Sequence, residues 1–295
     1  MAKPIFKDFM LAVVICLLAT VTTTAQQPIT GRWTASTYDN PGRINLNFDR
    51  RTERGGRSQH GQTYDFSDLQ GLTAEQARAG GLVRFSLSRE AGRIDCEGSF
   101  QNGKGSGTFV FTGNQSFLAA MKSRGFDLER HSGINHPSDA DDRLFVATTL
   151  NITTALADDL NSTGLPNLDV DDLFKAAIFK VDSKFVREMK ATGFELGMED
   201  LVKARIFKVD AAFASSVHDM GFANEPFESL VKMRIFKVTP EFITEIRTEG
   251  LSTVTIEDLV KLRIFKIDRE FIRQSKADGV PLEVERLVQR RIGVR

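Results

Sequence analysis

A short phrase recurs along the second half of this chain: Ile178-Phe179-Lys180-Val181, Arg205-Ile206-Phe207-Lys208-Val209, Arg234 to Val238, Arg263 to Ile267, and a degraded copy from Arg291 to Val294. The isoleucines stand at 178, 206, 235, 264 and 292, a period of 28 to 29 residues. A fixed period in this range marks a stack of like supersecondary units, none of which can bury its apolar face alone. Stacked units present a surface more readily than they build a reaction centre, so the recurrence favours binding over catalysis.

Within each period a second frame is visible. Phe185, Met189 and Gly193 lie four apart, and the same spacing returns as Phe213, Val217, Gly221; Phe242, Ile246, Gly250; and Phe271, Ser275, Gly279. Further back, Leu156, Leu160, Gly164 and Phe117, Met121, Gly125 repeat it, giving six copies with a polar insert at 127–143. Asp182, Asp210, Thr239 and Asp268 precede the Phe by three and suit a helix N-cap, and Pro240 suits the first helical position. The glycine followed by Phe194, Phe222, Leu251 or Val280 has the form of a Schellman stop. A second helix starts near Asp171, Glu199, Glu228 and Glu257, with Thr255 and Asp258 as a capping box, and runs into the recurrent phrase. Each unit is therefore a short helical hairpin, and the apolar residues of the phrase are expected in a shared core. The basic tail Arg286, Arg290, Arg291 and Arg295 suits a solvated end of the stack.

The first part has a different rhythm. Ile44, Leu46, Phe48; Val83, Phe85, Leu87; and Ile94, Cys96, Gly98, Phe100 alternate with period two, which argues half-buried antiparallel strands. Turn chemistry at Glu90-Ala91-Gly92 and Asn102-Gly103 predicts a meander over 82–88, 93–100 and 107–112, after strands near 31–38, 43–49 and 62–67. The expected architecture is α+β in two parts. A small antiparallel β-sandwich or barrel over 26–114 precedes an α-solenoid of short helical hairpins over 115–295.

The N-terminus reads as a secretory signal over 1–25. Lys3 and Lys7 precede an apolar run from Phe9, and Thr23-Thr24-Ala25 supplies small residues before Gln26. The 13 residues from Phe9 to Val21 are too few to span a bilayer, although an uncleaved anchor is the rival reading. Export to the periplasm or beyond, with no transmembrane span after signal removal, is the expectation. Cleavage would remove Lys3, Lys7 and Asp8, leaving 37 basic and 38 acidic residues and a net charge near −1. A chain so balanced has no global field for nucleic acid. Cys96 then has no disulfide partner and is expected as a small buried hydrophobe.

Catalytic signatures are weak. There is no His-Glu-x-x-His, Cys-x-x-Cys or Gly-x-Ser-x-Gly, and Gly98 to Lys104 fails as a phosphate loop because Gly105 replaces the hydroxyl residue before a strand. His131 and His136 with Asp139, Asp141 and Asp142 fit no zinc spacing, so a polar loop is expected and no metal or cofactor is assigned. Arg50, Arg51, Arg54 and Arg57 form a basic loop, expected to be solvated. Twelve of the 23 phenylalanines lie between 174 and 271 at repeat positions; with only two tyrosines in the chain, they suggest core packing and not a base-stacking platform.

The partner-binding candidates are three columns of cations: Lys203, Lys232, Lys261; Arg205, Arg234, Arg263; and Lys208, Lys237, Lys266. In a solenoid each column lines up on one face. Glu199, Glu228 and Glu257 stand four residues before the first column, in the orientation that favours an intrahelical ion pair, and the later cations suit a helix C-terminus.

Gly31-Arg32-Trp33-Thr34, Val83-Arg84-Phe85 to Gly98-Ser99-Phe100, and Gly107-Thr108-Phe109 resemble a β domain of uncharacterised envelope proteins of soil bacteria. The Asp-Leu-Val-Lys-x-Arg-Ile-Phe-Lys-Val repeat resembles the helical repeats that follow it there. In some relatives this pair is appended to membrane zinc peptidases of the β-lactam-sensor type, whose zinc motif is absent here. The resemblance implies architecture and an association with sensing, with no catalytic residue to transfer. The functional expectation is a non-enzymatic exported scaffold that binds an envelope protein. A small-ligand carrier using a hollow β domain is the alternative, and an envelope-polymer hydrolase with carboxylates such as Asp95 and Glu97 a further one.

Overall fold

In a computed structural model, residues 29–37, 42–51, 56–129 and 140–294 are described. The signal segment, Arg54, His131, His136 and Asp139 lie outside them. The first part is one antiparallel sheet of seven strands: β1 (Ile29–Ser36), β2 (Arg43–Arg51), β3 (Arg57–Asp65), β4 (Leu69–Gln70), β5 (Gly81–Arg89), β6 (Gly92–Gln101) and β7 (Lys104–Gly113). Their order is β3-β2-β1-β7-β6-β5-β4, so the first strand inserts beside the last and the sheet curves into a half-barrel with β3 and β4 at its edges. Of the expected forms, the barrel is taken, and it stays open. A helix α1 (Ala74–Ala79) links β4 to β5, capped by Thr73 in a box with Gln76.

The predicted meander is present. Asn102 and Gly103 turn β6 into β7 with φ of 51° and 72°, the conformation a two-residue hairpin demands. Period-two burial holds along β2, where Ile44, Leu46 and Phe48 are buried and their neighbours face outward. Trp33 is inserted between rings, 5.1 Å from Phe85 and 5.6 Å from Phe100, and its Nε1 donates to the Glu97 carbonyl at 3.2 Å. Gly105 makes room for it: a Cβ there would lie 2.6 Å from the Phe100 ring and 2.8 Å from the indole.

Among the described residues twelve helices follow: α2 (Gln115–Lys122), α3 (Ala140–Leu150), α4 (Thr154–Asn161), α5 (Val170–Phe179), α6 (Ser183–Lys190), α7 (Met198–Phe207), α8 (Ala211–Asp219), α9 (Phe227–Ile235), α10 (Pro240–Thr248), α11 (Ile256–Ile264), α12 (Arg269–Ala277) and α13 (Val284–Ile292). Taken in pairs, α2 with α3 through α12 with α13, they are the six hairpins of the repeat. The expected caps are in place: Asp182, Asp210, Thr239 and Asp268 accept from the backbone of the Phe three residues on, at 2.7–3.3 Å. The glycine stops at 125, 164, 193, 221, 250 and 279 all have positive φ. The residue after the stop bonds back to the helix, as in Phe126 N to Met121 O at 3.0 Å and Val280 N to Ser275 O at 2.9 Å.

The second helices α5, α7, α9 and α11 stop the same way, but with lysine in glycine's place. Lys180, Lys208, Lys237 and Lys266 have φ of 52–58°, and Val181, Val209, Val238 and Ile267 bond back across them at 2.8–3.0 Å. Helix α3 ends identically at Asn151, with φ 57° and Ile152 N on Ala147 O at 2.9 Å. Thus α3, drawn partly from the insert read as a polar loop, is the first of the stacked second helices. It packs beside α5, α5 beside α7, and so on to α13.

Helix α3 also packs against β3, β5, β6 and β7, so it belongs to both parts. Phe145 is fully buried in the concavity, stacked on Phe109 at 5.5 Å and edge-on to Phe48 and Phe111 at 5.9 and 5.3 Å. Tyr64 Oη donates to the Thr149 carbonyl at 3.1 Å.

Candidate interaction surface

The three cation columns have three fates. The first bridges helices. Lys175 pairs with Glu199, Lys203 with Glu228, and Lys261 with Glu285, while Lys232 meets Glu257 at 2.5 Å. The expected intrahelical pairing of Glu199 with Lys203 gives way to this ladder, because neighbouring second helices lie close enough for each lysine to reach the next repeat. The hydrogen bond to Glu228 raises the Lys203 pKa, and Glu257 and Glu285 do the same for Lys232 and Lys261. These lysines tie repeat to repeat.

The second column is turned onto aromatic rings. Arg205, Arg234 and Arg263 each place the guanidinium carbon 3.7 Å from the ring centroid of Phe185, Phe213 and Phe242 in the partner helix of the same hairpin. Burial lowers the Arg263 pKa. Planar guanidinium stacking on a ring accounts for arginine here, since lysine offers a point charge instead.

Lys208, Lys237 and Lys266, with Lys180 before them, remain. Their side chains are exposed and make no ion pair among the described residues. A left-handed lysine carries a backbone cost of roughly 1 kcal/mol that glycine avoids and asparagine reduces. The chain accepts that cost four times over.

Beside these lysines stands a feature that periodicity misplaced. The apolar phrase was expected in the core, and its Val181, Val209, Val238 and Ile267 are indeed buried. Its isoleucines are not: Ile178, Ile206, Ile235, Ile264 and Ile292 are 48–55% exposed. They form one outward row along α5, α7, α9, α11 and α13. The sequence signal was the identity of the residue in every copy; a core position in stacked repeats tolerates Val, Leu and Met more freely.

Helix α3 shows the same two positions where the sheet covers the stack. One period of 29 residues before Ile178 is Thr149, and one before Lys180 is Asn151. Thr149 is buried at the sheet. Exposed isoleucine and strained lysine are both missing there.

Elsewhere the chemistry is structural. Arg50, expected in a solvated loop, is buried, ion-paired with Asp142 of α3 and 5.3 Å above the Phe145 ring. His60 lies 5.7 Å from Phe145, and burial first, then Arg50, lowers its pKa. Asp95 and Glu97 are salted by Arg93 at 2.8 Å and Arg84 at 3.1 Å on the exposed face of the sheet. Cys96 is buried, and burial pushes its thiol far up. Among the described residues no His, Cys, Asp or Glu cluster could hold a metal ion, and no helix is long and apolar enough to cross a membrane. Comparison with family models, with curated proteins and with solved structures returned no match.

Proposed function

We propose that this chain is an exported, non-enzymatic scaffold that binds a protein partner of the cell envelope through the outer face of its helical repeats. The observation that carries the reading is the row of five half-exposed isoleucines, repeated where the fold has no use for them. Isolated exposed apolar residues are ordinary, but a contiguous line of one residue type points to recognition. Export rests on the basic and apolar N-terminal segment. The association with sensor peptidases belongs to the resemblance of the repeats. Phe145 of α3 is buried in the sheet's concavity, which weighs against a hollow ligand carrier.

The test compares affinity capture from the native envelope by the full chain and by a variant carrying Ile206→Ser, Ile235→Ser and Ile264→Ser. A partner retained by the first and lost by the second supports the reading. Equal capture by both, with equal helix content, overturns it.

A further inference from the structure

The isoleucine row has neighbours that narrow what could cover it. On α7, α9 and α11 the ladder glutamate, the ladder lysine and the isoleucine stand at i, i+4 and i+7, as Glu199, Lys203 and Ile206 do, so they share a face. The surface is therefore banded along the stack: a strip of paired Glu and Lys, an apolar strip, then a strip of unpaired lysines at 180, 208, 237 and 266.

Packed helices lie about 8–10 Å apart, which sets the spacing of both the isoleucines and the lysines. A β-strand presents same-face side chains about every 6.6 Å and falls out of step. An α-helix advances 1.5 Å per residue, so apolar side chains seven residues apart lie about 10.5 Å apart, nearer to the spacing of the repeats than a strand comes. The lysine strip needs anions along one flank only. An anionic bilayer would press lipid charge onto the half-exposed glutamates of the ladder as well, whereas a helix can carry its carboxylates on the side that meets the lysines.

The stack itself shows such a face being covered. At α3 the equivalent surface is sealed by the sheet, and the carboxylate at the ladder position, Asp142, meets Arg50 of that sheet. Where the stack continues without the sheet, the same face is left with isoleucine and lysine. We infer that this continuation is a docking strip for an acidic amphipathic helix, with an apolar residue in each heptad seated on the isoleucines and carboxylates flanking it on Lys180, Lys208, Lys237 and Lys266. The inference rests on the scaffold reading and adds the chemistry of the partner.

The probe is a synthetic four-heptad peptide with leucine at every seventh position and glutamate along one flank, labelled for fluorescence anisotropy against the full chain. A scrambled peptide of the same composition is the control. Binding of the patterned peptide over the scrambled one is expected. It should weaken at least tenfold in Lys208→Gln/Lys237→Gln/Lys266→Gln and in Ile206→Ser/Ile235→Ser/Ile264→Ser, and fall with added salt in the wild type. Both variants alter exposed side chains, and circular dichroism verifies their fold. No preference for the patterned peptide, or equal affinity of the lysine variant, overturns the inference. So does isoleucine-dependent binding to anionic phosphatidylglycerol vesicles, or isoleucine-dependent self-association, in place of peptide binding. Isoleucine-dependent capture of an envelope protein whose contact segment is not acidic would overturn this inference and leave the scaffold reading standing.

Discussion

Phe145→Ala removes the ring that joins the two parts of the molecule. Phe145 is fully buried, stacked on Phe109, edge-on to Phe48 and Phe111, and covered by Arg50. Truncating such a phenylalanine forfeits its transfer free energy and leaves a cavity, about 3–5 kcal/mol together. The sheet is fixed by its strand pairing and cannot collapse inward, which favours the upper half of that range. At a slope of about 3 kcal/mol per molar urea, the midpoint should drop by roughly 1–1.7 M. Two probes separate the parts. Trp33, the sole tryptophan, is buried in the sheet and reports it by fluorescence, while circular dichroism at 222 nm reports mainly the helices. Because α3 serves both, the two midpoints should fall together. A fluorescence midpoint that stays in place while the helical signal shifts, or a loss under about 1 kcal/mol, would refute the idea of a shared core at α3.

Asp210→Ala deletes the acceptor for Phe213 N, and urea unfolding should register a loss of about 1 kcal/mol. Lys237→Val places a β-branched residue at φ 57° and should destabilise by more than 1 kcal/mol, whereas Lys237→Gly should stay close to wild type in the same assay. The lowered His60 pKa means the unfolded chain binds the extra proton first, so this contribution is intact above about pH 6.5 and declines as pH falls below it. Unfolding free energies between pH 5 and 7.5 should therefore slope less steeply in His60→Gln. Cys96 should resist an aromatic disulfide reagent in the folded protein and react on unfolding, with peptide mapping to locate the label.

What the sequence disclosed, and what it withheld, follows from range. The hairpin at Asn102-Gly103, the caps at Asp182 and Asp210, and the glycine stops are decided by a few adjacent residues, so composition announces them. Helix α3 was hidden because its apolar residues serve a sheet as well as a neighbouring hairpin, and the segment before it is polar. Periodicity likewise placed Ile206 in the core because it adjoins Phe207 and Val209. The left-handed Lys208 redirects the chain immediately after it, so one side of the phrase turns inward and the other outward. The cations of the three columns look alike in sequence, and only the packing of α7 on α9 and on its own hairpin separates a bridge, a ring stack and an unpaired charge.

The sharing of α3 anchors one end of the stack on the sheet. Repeats interact with their neighbours only, so the ordering imposed by the sheet passes outward one hairpin at a time. Amide exchange should then quicken from α3 toward α13, the described helix farthest along the stack from the sheet. The sheet fixes where the isoleucine row starts; the number of hairpins alone fixes its reach. Whole repeats could be gained or lost at the far end, lengthening or shortening the row without disturbing the junction.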